Sequence, residues 1–471
     1  MDLKGGMVAE MQPIESPRVT VTVPESPAAE ASASPSAPAA QTGDASATGN
    51  LRLRRAQRDQ VTPVPARLEH LLPVDHLARL IWQAVERLDL APFYRDIVVE
   101  EGGPGQAATD PQLLVALWLY ATSQGVTSAR ALARLCVEHL AYIWLCGGVS
   151  MNYHTLSAFR VTHGAALDAL MTEVLGRLIH AGLVACEHHA QDGMRVRASA
   201  GAASFHRQPT LEKALAQARA LVAALEPPSA PAAERSSPRE QAARTRAARE
   251  RVARLEAALA EMPAVNAAKP ADARPNARVS STDPDARVMK MADGGYRPAY
   301  NWELAVDTAH RVITGVEVVN VGSDKAQMAP MLDQVQERCA RLPAAWLMDG
   351  GFVSLPALET GAAKGVRILA PVPEPKDKDR DRYAPLPGDS PTIAAWRARM
   401  GTEEAKTTYK LRAATAECVN AQARSQHGVQ QVRVRGRAKV LCVALWVALT
   451  HNLLIWVRHL PSPLTAPGTR A

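Results

Sequence analysis

The sequence predicts an α/β protein in which an all-helical amino-terminal domain precedes a mixed-sheet domain that carries a helical hairpin insertion. Three observations carry this expectation. Between Leu68 and Val184 apolar residues recur at three-to-four spacing. From Trp302 to Val318 they alternate instead, as on a pleated strand. Between two extended stretches lie Ala- and Arg-rich segments with helical periodicity, an interruption rather than a new domain. At 471 residues the chain exceeds the size at which one hydrophobic core stops growing, so two or three units are expected.

Residues 1–62 are read as a tail. Up to about residue 50 it is Ala, Ser, Pro and Thr, a composition that buries too little surface to offset the entropy of ordering. A basic cluster follows at Arg52, Arg54, Arg55 and Arg58, suited to tracking a phosphate backbone or simply to solvent. The start of the chain, MDLKGGMVAEMQPIE, has no apolar stretch of the secretory kind, so a cytoplasmic protein is expected. Residues 63–184 then hold four helical patterns: DHLARLIWQAVERL, DPQLLVALWLYATSQ, SARALARLCVEHLAYIWLC and TLSAFRVTHGAALDALMTEVLGRLIHAGL. Asp75, Asp110, Ser128 and Thr155 are the expected amino-terminal caps. The middle pair reads as two helices around a Gly-containing turn, with Arg160 where a recognition helix would meet phosphate, although plain helix packing gives the same pattern. Gly102, Gly103 and Gly105 surround Pro104 without a following Lys-Ser or Lys-Thr, which marks a turn and not a nucleotide loop.

Residues 185–471 form the second domain. VACEHHAQDGMRVRASA begins with an extended candidate ending at Asp192. The chain then leaves into two helical segments over about 207–272, in the second of which Val252, Leu255, Leu259 and Met262 recur at helical spacing. Trp302, Leu304 and Val306 alternate, Asp307 to His310 turn, and Val312, Thr314, Val316 and Val318 alternate again, a hairpin. A helix follows, then the run AAWLM ending at Asp349, a further helix and strand, and a last helix containing Glu417. Strand, hairpin, helix, strand, helix, strand is an order that suits a ribonuclease H-like mixed sheet.

The formal charge of +7 permits a phosphate-bearing partner without proving one. Its placement says more: from Cys418 to the end there is no Asp or Glu, whereas Arg424, Arg433, Arg435, Arg437, Lys439 and Arg458 are present. The six cysteines are scattered with no CxxC pair, against a disulfide framework or a zinc ribbon. Cys186, His188 and His189 lack a second ligand cluster, so structural roles are expected. Val440 to Leu460 is nearly long enough to cross a bilayer, but His451, Asn452 and Arg458 would be costly in hydrocarbon, and a buried core helix is expected with no membrane partner.

Two-metal phosphoryl transfer needs carboxylates that converge from separate rigid elements. Asp192 and Asp349 each end an expected strand and each precedes Gly, which lets backbone and substrate approach closely. Glu417 lies on a helix placed to join them. Asp283, Asp285, Asp293, Asp307 and Asp324 are rivals in loops or turns, and Glu403 and Glu404 precede the last helix; capping or exposure is expected of them. Trp302 is expected in the core, and Trp396 either in the core or against an unpaired base.

These residues resemble a known family, the DDE transposases of bacterial insertion sequences, over most of Leu68 to Val457. The resemblance rests on AQDGMRVRASAGAASFHR around Asp192, STDPDARVMKMADGGYRPAYN, LMDGGF at Asp349, and YKLRAATAECVNAQAR followed by VRGRAKV and ALTHNLL. It implies catalysis and metal binding by Asp192, Asp349 and Glu417, with two magnesium ions that manganese can replace. It also implies DNA contacts by Tyr409, Arg412 and Arg424, partners in the terminal inverted repeats and target DNA, and a homodimer pairing the two ends. Related groups commonly space the Arg and Glu one residue closer and carry Lys where Arg424 stands. On a regular helix Arg412 and Glu417 do not share one narrow stripe, which suggests that they address different parts of the DNA. A nuclease of the same fold without strand transfer, and a DNA-binding regulator with an inert core, are the alternatives.

Overall fold

The computed structural model describes residues 67–98, 107–225, 237–377 and 379–459, all within the compact unit Val64–Ala471. The amino-terminal tail with Arg52 to Arg58, the turn at Gly102 to Gly105 and the link 226–236 lie outside the described residues.

The helical half contains α1 (Leu77–Val85), α2 (Ala91–Tyr94), α3 (Pro111–Ser123), α4 (Ala129–Glu138), α5 (Leu140–Cys146), α6 (Tyr153–Thr162) and α7 (Gly164–His180). Asp110 and Ser128 cap α3 and α4 as expected. The cap expected at Asp75 is made one residue later by His76, and the one expected at Thr155 is made by Asn152. Two stretches read as single helices are each broken at a histidine. His139 takes an extended conformation (φ −124°, ψ 125°) and its ring accepts from Ala141 N, so the chain restarts as α5. His163 (φ −105°, ψ 43°) separates α6 from α7. Nearly every residue of α3 is buried, which makes it the central helix of this half.

The sheet half is built from β1 (His188–Arg197), β2 (Phe205–His206), β3 (Val279–Ser280), β4 (Arg287–Lys290), β5 (Tyr296–Asp307), β6 (Ile313–Val319), β7 (Ala345–Leu347) and β8 (Arg367–Leu369). The main sheet runs β4-β5-β1-β7-β8, with β6 also paired to β5. β5 and β6 form the expected hairpin, and β5 is antiparallel to β1. β7 and β8 are parallel to β1 and to each other, so the sheet is mixed. From Pro298 to Asp307 every residue of β5 is buried, as befits a strand covered on both faces.

The expected hairpin insertion is α8 (Gln208–Leu225) and α9 (Pro238–Ala267). It has a core of its own, with Leu211, Leu215, Leu255 and Met262 buried together. The pairing of β2 with β3 closes its base. Ser237 and Glu240 form a reciprocal capping box at the start of α9, with Pro238 in the first turn, where its missing N–H costs nothing.

The remaining helices are α10 (Met328–Cys339), α11 (Leu355–Ala363), α12 (Pro391–Met400), α13 (Glu403–Tyr409), α14 (Cys418–Ser425) and α15 (Arg437–His459). α15 is long and apolar enough to cross a membrane, yet 83 % of its most apolar window is buried inside the protein. The polar groups that argued against a span are bonded within the fold. Asn452 Nδ2 donates to Ile313 O (2.7 Å) and its Oδ1 accepts from Ile313 N (2.9 Å), so the amide extends the edge of β6 as another strand would. His451 Nε2 lies 2.8 Å from Arg311 O. On its other side Trp446 donates to Arg160 O (3.1 Å), and one continuous core joins the helices to the sheet. All six cysteines are free and four are buried.

Candidate active site

Sheet register brings the two aspartates together. β1 pairs with β7 through Ala190 and Leu347, and Asp192 and Asp349 each come two residues later, side by side past the last parallel pair. The placement of Asp349 after a strand agrees with expectation. Asp192 does not end its strand: β1 continues antiparallel to β5 as far as Arg197, and only its parallel partner stops.

Glu417 arrives by a local irregularity. Ala413–Glu417 forms a π-helical turn between α13 and α14, and such single-turn bulges recur at functional sites. Widening the turn by one residue puts positions five apart on one stripe, so Arg412 Nη1 donates to Glu417 Oε1 at 3.2 Å. The expectation that these side chains face different ways rested on a regular helix, which this segment is not. The same guanidinium donates through Nη2 to Asp192 Oδ1 (3.0 Å) and stands 3.7 Å from Asp349 Oδ2. One cation thus gathers three carboxylates from a strand, a strand-end loop and a helix. Burial works against the charge of Arg412, but Asp192 and its neighbours hold the guanidinium above its ordinary value.

Asn420, which sequence reasoning missed, is the second support of Asp192. It lies three residues past Glu417, hence on the same side of the helix, is buried, and donates Nδ2 to Asp192 Oδ2 at 3.0 Å. Burial pushes the Asp192 carboxyl above the usual range, with Arg412 opposing and Asp349 adding to the rise. Burial likewise raises the Tyr409 phenol, against the pull of Arg412.

A second polar network underlies the other face of β1. Gly193 is opposite Glu303 in the register. A Cβ on Gly193 would stand 2.7 Å from Asp324 Oδ1 and 2.9 Å from Glu303 Oε1, so any side chain there would displace these carboxylates. Asn301 Nδ2 bonds both Glu303 (2.6 Å) and Asp324 (2.8 Å), Gln191 donates to Glu303 (3.0 Å), and Arg195 pairs with Asp324 (3.1 Å). Glu303 gave no signal in the sequence, because strand alternation does not tell whether the second face is covered.

Two family models match the chain: a transposase domain, DUF772, over residues 66–162, and a transposase DDE domain over residues 390–455. The second spans Tyr409, Arg412, Glu417 and Arg424, all on the elements just described. Both matches support a DDE transposase of the insertion-sequence type. No curated protein and no solved structure matches it. Transposition-related DNA cleavage is the activity that these matches suggest. Asp192 and Asp349 fall between the two matched segments, so their assignment rests on geometry.

Most rival carboxylates hold backbone together. Asp283 accepts from Tyr300 Oη (2.7 Å) and Gly436 N (3.0 Å), and Asp285 from Arg437 N (2.7 Å), together fixing the start of α15. Asp307 accepts from Cys186 N (3.0 Å) and Ala309 N (2.9 Å), and Asp293 from Gly295 N (3.1 Å). Glu403 pairs with Lys406, and Glu404 is exposed. Trp302 and Trp396 are both buried. His189 stacks on Trp346 in the core. Arg160 is buried against the ring of Trp118 and donates to Thr127 O (2.6 Å). Arg424 lies on α14 beyond Glu417, away from the three carboxylates. Among the described residues no set of three His, Cys, Asp or Glu side chains is close enough to grip an ion, since Arg412 stands between the carboxylates.

Proposed function

We propose that the transposase cuts DNA at the ends of its insertion sequence and joins the freed ends to target DNA, using Asp192, Asp349 and Glu417 in a ribonuclease H-like core. The observation that carries this reading is the convergence of those three carboxylates on Arg412. The order of strand, antiparallel hairpin, helix, parallel strand, helix and parallel strand supports the assignment of the core.

The donor set fits two divalent cations: three carboxylates offer hard oxygens and no sulfur or imidazole, which is the preference of magnesium. Asp192, held above the usual carboxylate range by burial, has charge that its present partners compensate incompletely. Magnesium, or manganese in its place, would supply the Lewis acidity that opens a phosphodiester to in-line attack. The chain's own residues do the rest. Asn420 and Arg412 each hold one oxygen of Asp192, which fixes its orientation. Arg412 offsets part of the carboxylates' charge in the resting protein, and its remaining donors suit a phosphate once it turns aside. Tyr409 lines the same site, and Arg424 lies further along the helix, where a DNA backbone would continue. Two copies would pair the two ends.

The test is a joining reaction. Purified protein with magnesium is given a labelled duplex bearing the inverted repeats that flank its gene, and a plasmid. Transfer of label to plasmid is expected. Cutting without transfer would make the protein a nuclease, and binding without cutting a DNA-binding regulator with an inert core.

A further inference from the structure

Two adjoining clefts, of about 550 Å³ and about 230 Å³, share Thr127 and Arg433 as lining residues. The larger adds Arg197 and Arg424, the smaller Arg130 and Arg160, and neither is lined by a single Asp or Glu. Among the described residues Arg130, Arg197, Arg424 and Arg433 meet no carboxylate, whereas arginines such as Arg219, Arg254 and Arg297 are ion-paired. Burial, with Arg433 beside it, pulls the Arg160 guanidinium down to about 10, a sign of positive charge left uncompensated.

The floor of the clefts is rigidly made. Gly125 and Gly428 both have positive φ, 68° and 67°, and their backbones touch so closely that a Cβ on Gly428 would lie 2.7 Å from Gly125 O. His427 Nδ1 is 3.1 Å from Thr122 O, tying the loop after α14 to the end of α3. Arg160 braces the wall through Thr127 O. Such a preformed cationic groove loses little entropy on binding.

Its position relative to the carboxylates is set by two elements. Arg197 ends the strand that holds Asp192, about 17 Å along it. Arg424 is on α14, about 10 Å beyond Glu417. At about 3.4 Å per base step those separations correspond to about three to five base pairs. We propose that this groove binds the sugar-phosphate backbone of duplex DNA a few base pairs from the cleavage site, with Arg130, Arg197 and Arg433 as phosphate contacts beside Arg424. The inference rests on the transposase reading and extends it: it places the DNA across the seam between helices and sheet, where the loop after α14 meets the turn before α4.

The test is the salt dependence of binding, measured by anisotropy of a labelled duplex with chelator present, so that no cleavage intervenes. The full-length Arg130→Ala/Arg197→Ala/Arg433→Ala variant is compared with the parent and with an Arg219→Ala/Arg254→Ala/Arg297→Ala control that loses the same charge from ion-paired sites. The log–log slope should become shallower by about three in the groove variant and stay near the parent's in the control. Single charge reversal at Arg197, Arg197→Glu, should weaken binding in the same direction and guards against a misfolded triple variant. Equal slopes in the groove and control variants, with native circular dichroism, would overturn the groove while leaving the cleavage reading intact. A parent protein that binds no duplex at any salt would overturn both.

Discussion

Glu303 has no solvent contact, and burial followed by the nearby Asp324 pushes its carboxyl up to about 8. The native state therefore keeps a proton that the unfolded chain releases near its ordinary value. Stability from this group is complete below about pH 4.5 and is lost as pH rises through about 8, at up to about 1.4 kcal/mol per pH unit. Glu303→Gln keeps a hydrogen-bonding shape without titrating. Urea unfolding between about pH 5 and pH 8 should show the parent losing stability relative to the variant; parallel curves would refute the buried proton. The two aspartates were legible in the sequence because each ends an expected strand and precedes glycine. Glu303 and Asn420 were not, since a polar residue on a strand or helix looks solvated until another element covers it. Around Glu303 stand Gln191 and Asn301, which donate to it, and Asp324.

The π turn at Ala413–Glu417 explains how Arg412 and Glu417, five residues apart, still meet side by side. A regular helix aligns residues four apart and a π turn those five apart. Deleting Ala414 should thus restore an ordinary helix with Arg412 and Glu417 still in register, and DNA cleavage should stay within about tenfold of the parent. Inserting one alanine there should abolish it. A folded deletion variant without cleavage would show that the bulge does more than correct spacing. The sequence carried the helices, the hairpin and the insertion, because periodicity reports which face is apolar. It could not show the break at His139, where a side chain competes with the backbone for Ala141 N, nor the widened turn beside Arg412, whose guanidinium bonds a residue distant in sequence, Asp192.

The whole molecule is held by α15, which fills the space between helices and sheet. Trp446 is fully buried, and Cys442 donates its thiol towards Val161 O (3.6 Å). Burying a large apolar side chain contributes about 1.5 to 3 kcal/mol, and an isolated fragment 63–184 forgoes this along its whole contact with α15. That fragment should therefore lack a cooperative melt and self-associate; a monomeric fragment that melts cooperatively would contradict the shared core. The most direct test of the account is single-turnover cleavage in magnesium by full-length Asp192→Asn, Asp349→Asn and Glu417→Gln, the Asp349→Asn/Glu417→Gln double variant, and Glu403→Gln and Glu404→Gln controls, with end binding measured in chelator. Each amide nearly preserves shape but removes one negative ligand. The account predicts losses of about a thousandfold or more for each single variant, little further loss in the double, unchanged end binding and near-parent rates for both controls. Near-parent cleavage by Glu417→Gln, with either control inactive, would contradict it.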